Sequence, residues 1–599
     1  MRLTFLLLLA ITSQTFSQNS FNYIVDINKE TDVFSVTLNL PKLSSADSIY
    51  SFVSYAPGVH QPLDFGRFVK LFKVFNNSGE EIQTDKVSVN SFRIFEPEQA
   101  VVISYEIDDT FDMDISYHPV YPMSGTGINE AYTIINPHGV FGYFKELKNS
   151  PITLSIKTNG NPKIGTALSA DSEGVFNVSS FYHLTDSPIL IGEELSYTSV
   201  QVGDIKVEAY VHSPNQKITA EMVLEEAKPI LESAKKFIGY APVDRYTFLM
   251  YFSSQEDISM MPVLQTGGAL EHSYSSTYAL PEMPEYLPYL GDIIAHEYMH
   301  ILSPLHLHSD ILANFDYQDA AAQDQHVWLY EGVTEWVSFY MRMKSGHKSD
   351  QDYLKYLSEK YNNNLNYSTD YSLARISKEW STDEGNKQYG NIYQLGALTA
   401  AMLDIKLIQL SNGEKGLRTV YLDLINKYGE DKPFNNDSFF TKFVELTFPE
   451  IEDFINQHIK SNTPFDFENE MKNVGINYYE NRKTLNNEST MGIVIRPNEH
   501  QQGAIAQLAP DYNGEKLKVG DIILGIDGVT LDQSTYHSIM SNLKKKSPGE
   551  TYEIKIIRSG KEMTMTEELF PKYDYHVFEK DPEADKMAKK RRDFLFSKL

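Results

Sequence analysis

The stretch HEYMHILSPLH, His296 to His306, has two histidines four residues apart, a glutamate after the first, and a third histidine six residues further on. Residues four apart project from one face of a helix, so His296 and His300 can share one metal ion. Glu297 would then lie beside a water at that metal. The stretch therefore predicts a helix that carries a zinc site and a general base, and it leaves the third ligand open.

Two residues compete as the third ligand. His306 has the spacing of the metzincin motif, but Ser303, followed by Pro304, stands where that motif needs a glycine to turn the chain. Glu331, in the stretch VWLYEGVTEWVSFY, is the candidate of the gluzincin interpretation, in which the carboxylate comes from a later helix. Glu335 lies one turn further on and could orient a zinc histidine. Only the gluzincin interpretation explains why two acids, Glu331 and Glu335, stand in an apolar helix. The sequence therefore favours Glu331 as the third ligand.

The composition is that of a folded protein with several domains. The chain has 599 residues, of which 41% are hydrophobic and 12% aromatic, so it has ample material for more than one core. Lysine and arginine number 53 against 81 acids, which gives a net charge of −28. Such an excess of carboxylates repels phosphate backbones, and nucleic acid is not an expected partner.

The N-terminal residues have the pattern of a secretory signal. Residues 1–17 combine one arginine, a short apolar run and small residues near the expected cleavage site. The run is too short to span a bilayer, so no transmembrane segment is expected in the mature chain. The sequence contains no cysteine, which excludes disulfides and a lipidated cysteine after the signal. We therefore expect an exported protein, located in the periplasm.

The rest of the chain is predicted to be multidomain α+β. Residues 18–200 alternate apolar and polar positions between turn residues, which is typical of an antiparallel β-sandwich. Residues 201–480 combine strand-like runs with long helical stripes, and we expect a catalytic domain with a mixed sheet lobe and a helical lobe. Residues 485–572 are again predicted to form short strands and are expected to be a separate domain. A basic amphipathic tail, 573–599, is expected to be a solvated or docking helix.

The segment 485–572 resembles a PDZ domain. VGDIILGIDG matches the usual strand and turn in the middle of such domains, and MGIV stands where the family has its carboxylate-binding loop. The resemblance implies that backbone N–H groups of this loop capture the C-terminus of a peptide or partner. The alternative is a domain that only packs on the enzyme. The loop consists of Met491, Gly492, Ile493 and Val494.

Several further motifs follow one another in the order of a known enzyme family. GGALEHSYSS precedes the histidine motif, and WLYEGVTEW and YQLGAL follow it. SYAPGVH at 54–60 resembles part of the family's N-terminal β-domain. In these motifs and in their order, the chain resembles the glycyl aminopeptidase family of zinc peptidases, which are relatives of the gluzincin aminopeptidases. The resemblance implies a thermolysin-like gluzincin catalytic domain that cleaves peptides from a free N-terminus.

The resemblance also assigns roles to individual residues. It implies one zinc ion per chain, held by His296, His300 and Glu331, with Glu297 as the general base. It implies that Tyr393 stabilises the oxyanion and that Glu271 meets the free α-amino group of the substrate. The segment around Glu271 is expected to bind substrate through Gly268, Ala269, Glu271 and His272.

One departure from the family pattern affects the expected substrate. After the second zinc histidine this chain has ILSPLHLHSD, where the family usually carries basic residues, so the side-chain preference is not implied. His306 and His308 are interpreted as exposed loop histidines, with an accessory metal site as the alternative. Two other functions stay open: a metalloendopeptidase of the same fold, and a non-catalytic binding protein with a structural zinc.

Overall fold

The computed structural model describes residues 20–113, 118–158, 160–319, 324–429, 432–484, 488–498, 502–509, 512, 514, 516–532 and 534–599. The predicted signal, 1–17, lies outside these ranges. The described chain forms two compact units. The first comprises the residues up to Tyr353 together with Asn363–Phe465 and Lys590–Leu599, and the second comprises Leu354–Asn362 and Asp466–Lys589. Within the described ranges no helix is long and apolar enough to cross a membrane.

The N-terminal part of the first unit is rich in β-strands. Its strands are β1 (Phe21–Asn28), β2 (Val33–Asn39), β3 (Ile49–Ser51), β4 (Val69–Asn76), β5 (Glu81–Ile82), β6 (Thr84–Lys86), β7 (Ser91–Ile94), β8 (Ala100–Asp108), β9 (Gly127–Ile128), β10 (Thr133–Ile135), β11 (Ile152–Lys157), β12 (Lys163–Thr166), β13 (Phe176–Val178) and β14 (Ile189–Gly192). Two short helices accompany them, α1 (Pro137–Val140) and α2 (Phe181–Thr185).

These strands form three sheets with buried aromatic and aliphatic side chains between them. The orders are β13-β11-β1-β2-β8-β4-β5, β12-β14-β10-β9 and β3-β7-β6. Alternate residues of β8, such as Ile103, Tyr105 and Ile107, are fully buried, as the period-2 pattern requires. One pair departs from the expected antiparallel arrangement: β1 and β11 run parallel. The long connection through β2–β10 permits this, since parallel neighbours need a crossover.

A second sheet follows in the same unit. It is formed by β15 (Ser196–Val202), β16 (Ile205–His212), β17 (Arg245–Ser253), β18 (Gly268–His272) and β19 (Ser275–Pro281), in the order β15-β16-β17-β19-β18. Strand β18 is an edge strand that pairs antiparallel with β19. The expected domain boundary at residue 200 falls inside β15, because β15 pairs along its whole length with β16.

Helices make up most of the remaining part of this unit. They are α3 (Ala220–Ile238), α4 (Gln255–Met260), α5 (Leu287–Met299), α6 (Asp310–Ala313), α7 (Thr334–Ser345), α9 (Leu373–Glu379), α10 (Asp383–Tyr389), α11 (Ala397–Leu410), α12 (Leu417–Tyr428), α13 (Phe439–Leu446) and α14 (Ile451–His458). Helix α8 (Asp350–Asn364) lies between α7 and α9 in the chain, and its residues Leu354–Asn362 belong to the second unit. Helix α3 starts at Thr219, whose hydroxyl accepts the N–H of Met222, and ends at Gly239 with φ 93°. It packs against both α5 and α7.

Two π-helical turns lead directly into helices of this part. The Glu331 π-turn (Trp328–Val333) continues as α7, and the Tyr393 π-turn (Ile392–Gly396) continues as α11. They meet at glycines: a Cβ added to Gly332 would lie 2.7 Å from the Cα of Gly396. Because only glycine permits this backbone approach, the two turns are held side by side. Turns of this type occur frequently at functional sites.

The second unit has its own core and its own sheet. Its elements are α15 (Phe467–Lys472), β20 (Ile476–Lys483), β21 (Ser489–Thr490), β22 (Ile493–Pro497), β23 (Gly503–Leu508), β24 (Ile522–Ile526), β25 (Val529–Thr530), α16 (Tyr536–Leu543), β26 (Thr551–Arg558), β27 (Lys561–Glu568), β28 (Phe570–Pro571) and β29 (Tyr573–Lys580). The main sheet has the order β22-β23-β24-β26-β27, and β25 pairs with β24.

The C-terminal segment is more structured than a tail. Its first part is β29, which pairs antiparallel with β20 along Ile476–Lys483. Helix α17 (Lys586–Phe596) follows, and Leu595 is fully buried within the first unit. The ammonium of Lys344 donates to the backbone carbonyls of Phe594 and Leu595 at 3.1 and 3.4 Å. The segment was expected to be either a solvated or a docking helix. The end of α17 is docked, because it packs on Lys344.

Candidate metal centre

The structure brings His296, His300 and Glu331 together at one buried point. Nε2 of His296 lies 3.3 Å from Oε2 of Glu331, and Nε2 of His300 lies 3.5 Å from the same oxygen. The two imidazoles are 4.7 Å apart between ring centroids and nearly perpendicular, at 82°. Helix α5 supplies His296 from its last turn, and His300 is the residue that caps it. The three ligand atoms thus converge from α5 and from the Glu331 π-turn.

These separations fit a zinc ion. A tetrahedral site with bonds of about 2.0–2.1 Å places its ligand atoms roughly 3.3–3.4 Å from one another. The two distances to Oε2 of Glu331 are 3.3 and 3.5 Å, close to these values, and all three ligand atoms lie within 4.8 Å of one another. Two imidazoles and one carboxylate are also the donor set that zinc takes in catalytic sites with an open position.

The outer nitrogen of each imidazole is hydrogen-bonded in a way that frees Nε2 for a metal. Nδ1 of His296 donates to Oε2 of Glu335 at 2.8 Å. Nδ1 of His300 donates to the backbone carbonyl of Ser303 at 3.0 Å, and a carbonyl can only accept. When a metal takes Nε2, each ring can therefore keep its single proton on Nδ1, where the acceptor already lies. Such partners fix both the tautomer and the ring orientation of metal ligands.

The electrostatics of the site favour positive charge. Although burial lowers the pKa of His296, hydrogen bonds to Glu331 and Glu335 outweigh it and hold that pKa well above the usual range. Burial raises the pKa of Glu331, but His300 and His296 hold it well below the usual range. Burial raises the pKa of Glu297 to about 8. A divalent cation would supply the positive charge that these carboxylates otherwise take from protons.

Glu297 and Glu271 lie beside the same centre. Ligand atoms of Glu271, Glu297 and His300 lie within 4.8 Å of one another. Glu271 reaches this point from the edge strand β18, whereas Glu297 is on α5. A cavity of about 250 Å³ opens here and is lined by all three residues together with Glu331 and Tyr393. Two acids therefore face the space in which a substrate of this centre would lie.

A tyrosine pair closes another side of the cavity. The ring of Tyr393 lies 5.6 Å from that of His296, and its hydroxyl is 3.4 Å from the hydroxyl of Tyr389. Burial and the neighbouring Glu331 raise the pKa of Tyr393 well above its usual value. Its hydroxyl therefore keeps its proton at neutral pH and can donate a hydrogen bond into the cavity.

The N-terminal domain also contributes to the cavity. Gly58, with φ 73°, packs so closely on Glu271 that an added Cβ would lie 2.7 and 2.9 Å from the two carboxylate oxygens. Nε2 of His60 lies 3.4 Å from Oε1 of Glu331. Tyr121 and Met123 of the same domain also line the cavity. Residues far apart in the sequence thus complete the centre.

His306 does not join the centre. Its Nδ1 donates to the backbone carbonyl of Ile301 at 2.6 Å, and Nδ1 of His308 donates to the carbonyl of Pro304 at 2.8 Å. Neither residue belongs to any of the potential metal groups within the described ranges. Both imidazoles instead make local hydrogen bonds to the backbone of the segment after α5. The position of His306 outside these groups, rather than its hydrogen bond, argues against it as the third ligand, and the same holds for an accessory site at His306 and His308.

The remaining expected substrate residues lie on β18. Gly268 has φ 139° and packs on the thioether of Met123, and Ala269 lines the metal cavity. His272 is buried and turned away from the metal ligands: its Nδ1 lies 3.2 Å from Oδ1 of Asp186. It lines a second cavity of about 190 Å³, which is also bordered by Glu271.

The expected peptide-binding loop lies in the second unit. Met491 is buried, Gly492 has φ 66°, and Ile493 and Val494 begin β22. Within the described part of this unit, β22 pairs only with β23, so its other edge is available to a strand. Val494 is 38% exposed on this strand. The described residues thus offer the edge that β-strand addition requires.

Sequence reasoning missed His60 and Tyr389. Nothing near either residue carries a metal motif, because both act through contacts with residues distant in the chain. The only sequence signal was the similarity of residues 54–60 to a family domain, which did not single out His60. Tyr389 ends α10 four residues before Tyr393, a spacing at which two helical side chains meet.

The fold and the site define the class of this protein. The chain is multidomain α+β, with a β-rich N-terminal domain and a helical catalytic region, and it brings two histidines and a glutamate together beside a further acid. This combination is that of the zinc metallopeptidases. The profile of the peptidase M61 N-terminal domain matches residues 22–193, and that of the M61 glycyl aminopeptidase matches residues 290–399. Over these two segments the chain is similar to the M61 glycyl aminopeptidase family.

A solved structure shares the fold. The crystal structure of an aminopeptidase N family protein from Idiomarina loihiensis aligns with a TM-score of 0.76 at 18% sequence identity. The alignment covers 96% of this chain and 100% of that chain. At this identity the likeness concerns the fold alone. No curated protein matches the sequence.

Proposed function

We propose that this peptidase is an exported zinc aminopeptidase that hydrolyses the first peptide bond of a substrate with a free N-terminus. The observation that carries the proposal is the convergence of Glu271, Glu297 and His300 within 4.8 Å beside Glu331. It supplies a metal site, a base and an acid that can bind an ammonium group. The absence of cysteine and the signal pattern of residues 1–17 support export to the periplasm.

The proposal includes a thermolysin-like gluzincin catalytic domain. Its support is the order of elements: an edge strand, β18, precedes helix α5 with both histidines, and α7 follows the glutamate ligand. We also assign the second unit a PDZ domain at 485–572. The edge of β22 that pairs with no strand among the described residues, at the end of the Met491–Val494 loop, supports this, and the expected ligand is the C-terminus of a peptide or partner.

One zinc ion per chain would be held by His296, His300 and Glu331. When bound there, zinc supplies Lewis acidity, lowering the pKa of a water towards neutrality and polarising the carbonyl of the scissile bond. Glu335 and the carbonyl of Ser303 hold the two imidazoles in the orientation that this requires.

Glu297 is the proton carrier of the proposed reaction. Its carboxylate, buried next to the ligands, accepts a proton from the attacking water and then delivers it to the leaving amine. Burial disfavours the charged form of Glu297, so the cation of the metal site is needed to keep the carboxylate ionised before each turnover. The burial of Glu297 also strengthens its interaction with the charge that develops.

Tyr393 is proposed to donate a hydrogen bond to the oxyanion. Tyr393→Phe removes this donor and should lower kcat by roughly 10²–10³-fold, equivalent to about 2.7–4 kcal/mol, with little change in KM. Steady-state kinetics with a free dipeptide amide measures this. Tyr286→Phe is the matched control, since it removes the hydroxyl of an exposed tyrosine just before α5. An unchanged kcat in Tyr393→Phe would show that the hydroxyl of Tyr393 does not take part in catalysis and that its ring only packs in the cavity wall.

Glu271 is proposed to bind the α-ammonium of the substrate. A charged pair at this position fixes the chain so that only the first peptide bond reaches the base. We expect free peptides to be cleaved and their N-acetylated forms to resist cleavage. Glu271→Gln should bring the kcat/KM of free peptides down towards that of the acetylated ones. Equal cleavage of both forms by the natural chain would instead favour a metalloendopeptidase.

The test of the proposed function is one screen with purified protein. Free and N-acetylated peptides are incubated with and without a chelator, and the protein's metal content is measured in parallel. We expect release of the first residue from free peptides only, and its loss with the chelator. Metal without any cleavage would contradict the proposal and favour a binding protein with structural zinc.

A further inference from the structure

We propose that His60, from the N-terminal β-rich domain, is a positioning residue of the metal centre that holds the outer oxygen of Glu331. This inference rests on the proposed zinc function and adds to it a dependence of the catalytic ion on a residue outside the catalytic helices. It follows from three sets of contacts: those of Glu331, those of the His60 ring, and those of the loop that carries it.

The two oxygens of Glu331 face different partners. Oε2 lies 3.3 and 3.5 Å from the Nε2 atoms of His296 and His300, whereas Oε1 lies 3.4 Å from Nε2 of His60. The carboxylate therefore points one oxygen to the metal position and the other to the N-terminal domain. A donor on the outer oxygen keeps the carboxylate from swinging away or binding through both oxygens. Partners of this kind typically contribute roughly 10–100-fold to metal affinity.

Aromatic rings hold the imidazole of His60 in place. It lies against Tyr389 with ring centroids 4.8 Å apart, and Trp380 meets its edge at 5.3 Å. Trp380 in turn contacts Tyr55, at the start of the same loop, at 6.2 Å. The side chain of His60 is only 18% exposed. The ring is thus fixed between the loop and two helical segments of the catalytic region.

The loop itself is anchored on both sides. The N–H groups of Ser54 and Tyr55 both donate to the backbone carbonyl of Tyr317, and the hydroxyl of Ser54 donates to Asp64 at 2.7 Å. The N–H of Val59 closes a turn on the carbonyl of Ala56. His60 therefore reaches Glu331 from a fixed backbone, which is what a positioning role requires.

The test compares three versions of the full-length chain. His60→Phe keeps a ring against Tyr389 and Trp380 but has no donor, and His60→Gln keeps a donor at a similar reach. We expect the zinc dissociation constant, measured by competition with a chromophoric chelator, to rise roughly 10–100-fold in His60→Phe and by much less in His60→Gln. The absorption spectrum of the cobalt-loaded protein should shift in His60→Phe and resemble the natural one in His60→Gln.

Two controls make the outcome decisive. His537→Ala removes an exposed imidazole of the second unit and should change neither zinc affinity nor the cobalt spectrum. Thermal unfolding of the metal-free variants reports any general loss of stability. Equal zinc affinity in His60→Phe and the natural chain would overturn the inference, as would an equal loss in His60→Phe and His60→Gln. If the natural chain binds no zinc, the proposed function itself fails, which is a different result.

Discussion

Glu297→Gln is expected to lower kcat by roughly 10²–10⁴-fold while the protein keeps its zinc. The amide has nearly the shape of the carboxylate, so the packing around α5 is preserved. It cannot accept a proton from water, and the step that forms the nucleophile loses its base. Glu297 contributes no ligand atom to the His296, His300 and Glu331 group, so metal affinity should change little.

The measurement is kcat for a free peptide together with the metal content of the same preparation. Glu285→Gln is the matched control, since Glu285 is an exposed acid just before α5 and its loss changes the charge equally. We expect full activity from this control. A Glu297→Gln protein with natural kcat and bound zinc would show that another group accepts the proton.

The local part of the centre could be predicted because the sequence itself encodes its geometry. Helical periodicity places residues four apart on one face, and the structure has the rings of His296 and His300 4.7 Å apart. The same periodicity places Glu335 one turn after Glu331, and its carboxylate lies 2.8 Å from His296. The spacing of side chains along a helix is set mainly by the local backbone. A sequence pattern is therefore enough to predict which of these side chains lie on the same face.

The distant part of the centre could not be predicted in this way. His60 meets Glu331 across the interface of two domains, and no local pattern specifies which loop residue arrives there. The π-turns at Glu331 and Tyr393 also pack on each other through Gly332 and Gly396, which are 64 positions apart in the chain. A helical pattern predicts the helices but not an extra residue within a turn.

The C-terminal segment illustrates the same limit. Its basic amphipathic composition indicated a helix, and α17 is present. The sequence did not indicate which residue the helix contacts. The carbonyls of Phe594 and Leu595 accept hydrogen bonds from Lys344, which is buried on α7 and far away in the chain. Burial lowers the pKa of Lys344 to about 8, which no pattern of charges along the chain would have indicated.

The second large effect is expected on zinc affinity, and it distinguishes Glu331 from His306 as the third ligand. Glu331→Gln should weaken zinc binding by more than the roughly 10–100-fold typical of residues that only orient a ligand. The substitution removes the anionic ligand that compensates the charge of the ion, and it leaves a neutral amide between two imidazoles. Activity should fall with the metal content and should return only in part when zinc is added in excess.

A graded series of variants tests this assignment. Zinc dissociation constants, measured by chelator competition, should rise most in Glu331→Gln and less in Glu335→Gln, which loses only the negative charge of the group that accepts from His296. They should not change in His306→Gln, because the imidazole of His306 lies outside the group formed by His296, His300 and Glu331. If His306→Gln releases zinc and Glu331→Gln retains it, the third ligand is the histidine, and the carboxylate only balances the charge of the two imidazoles.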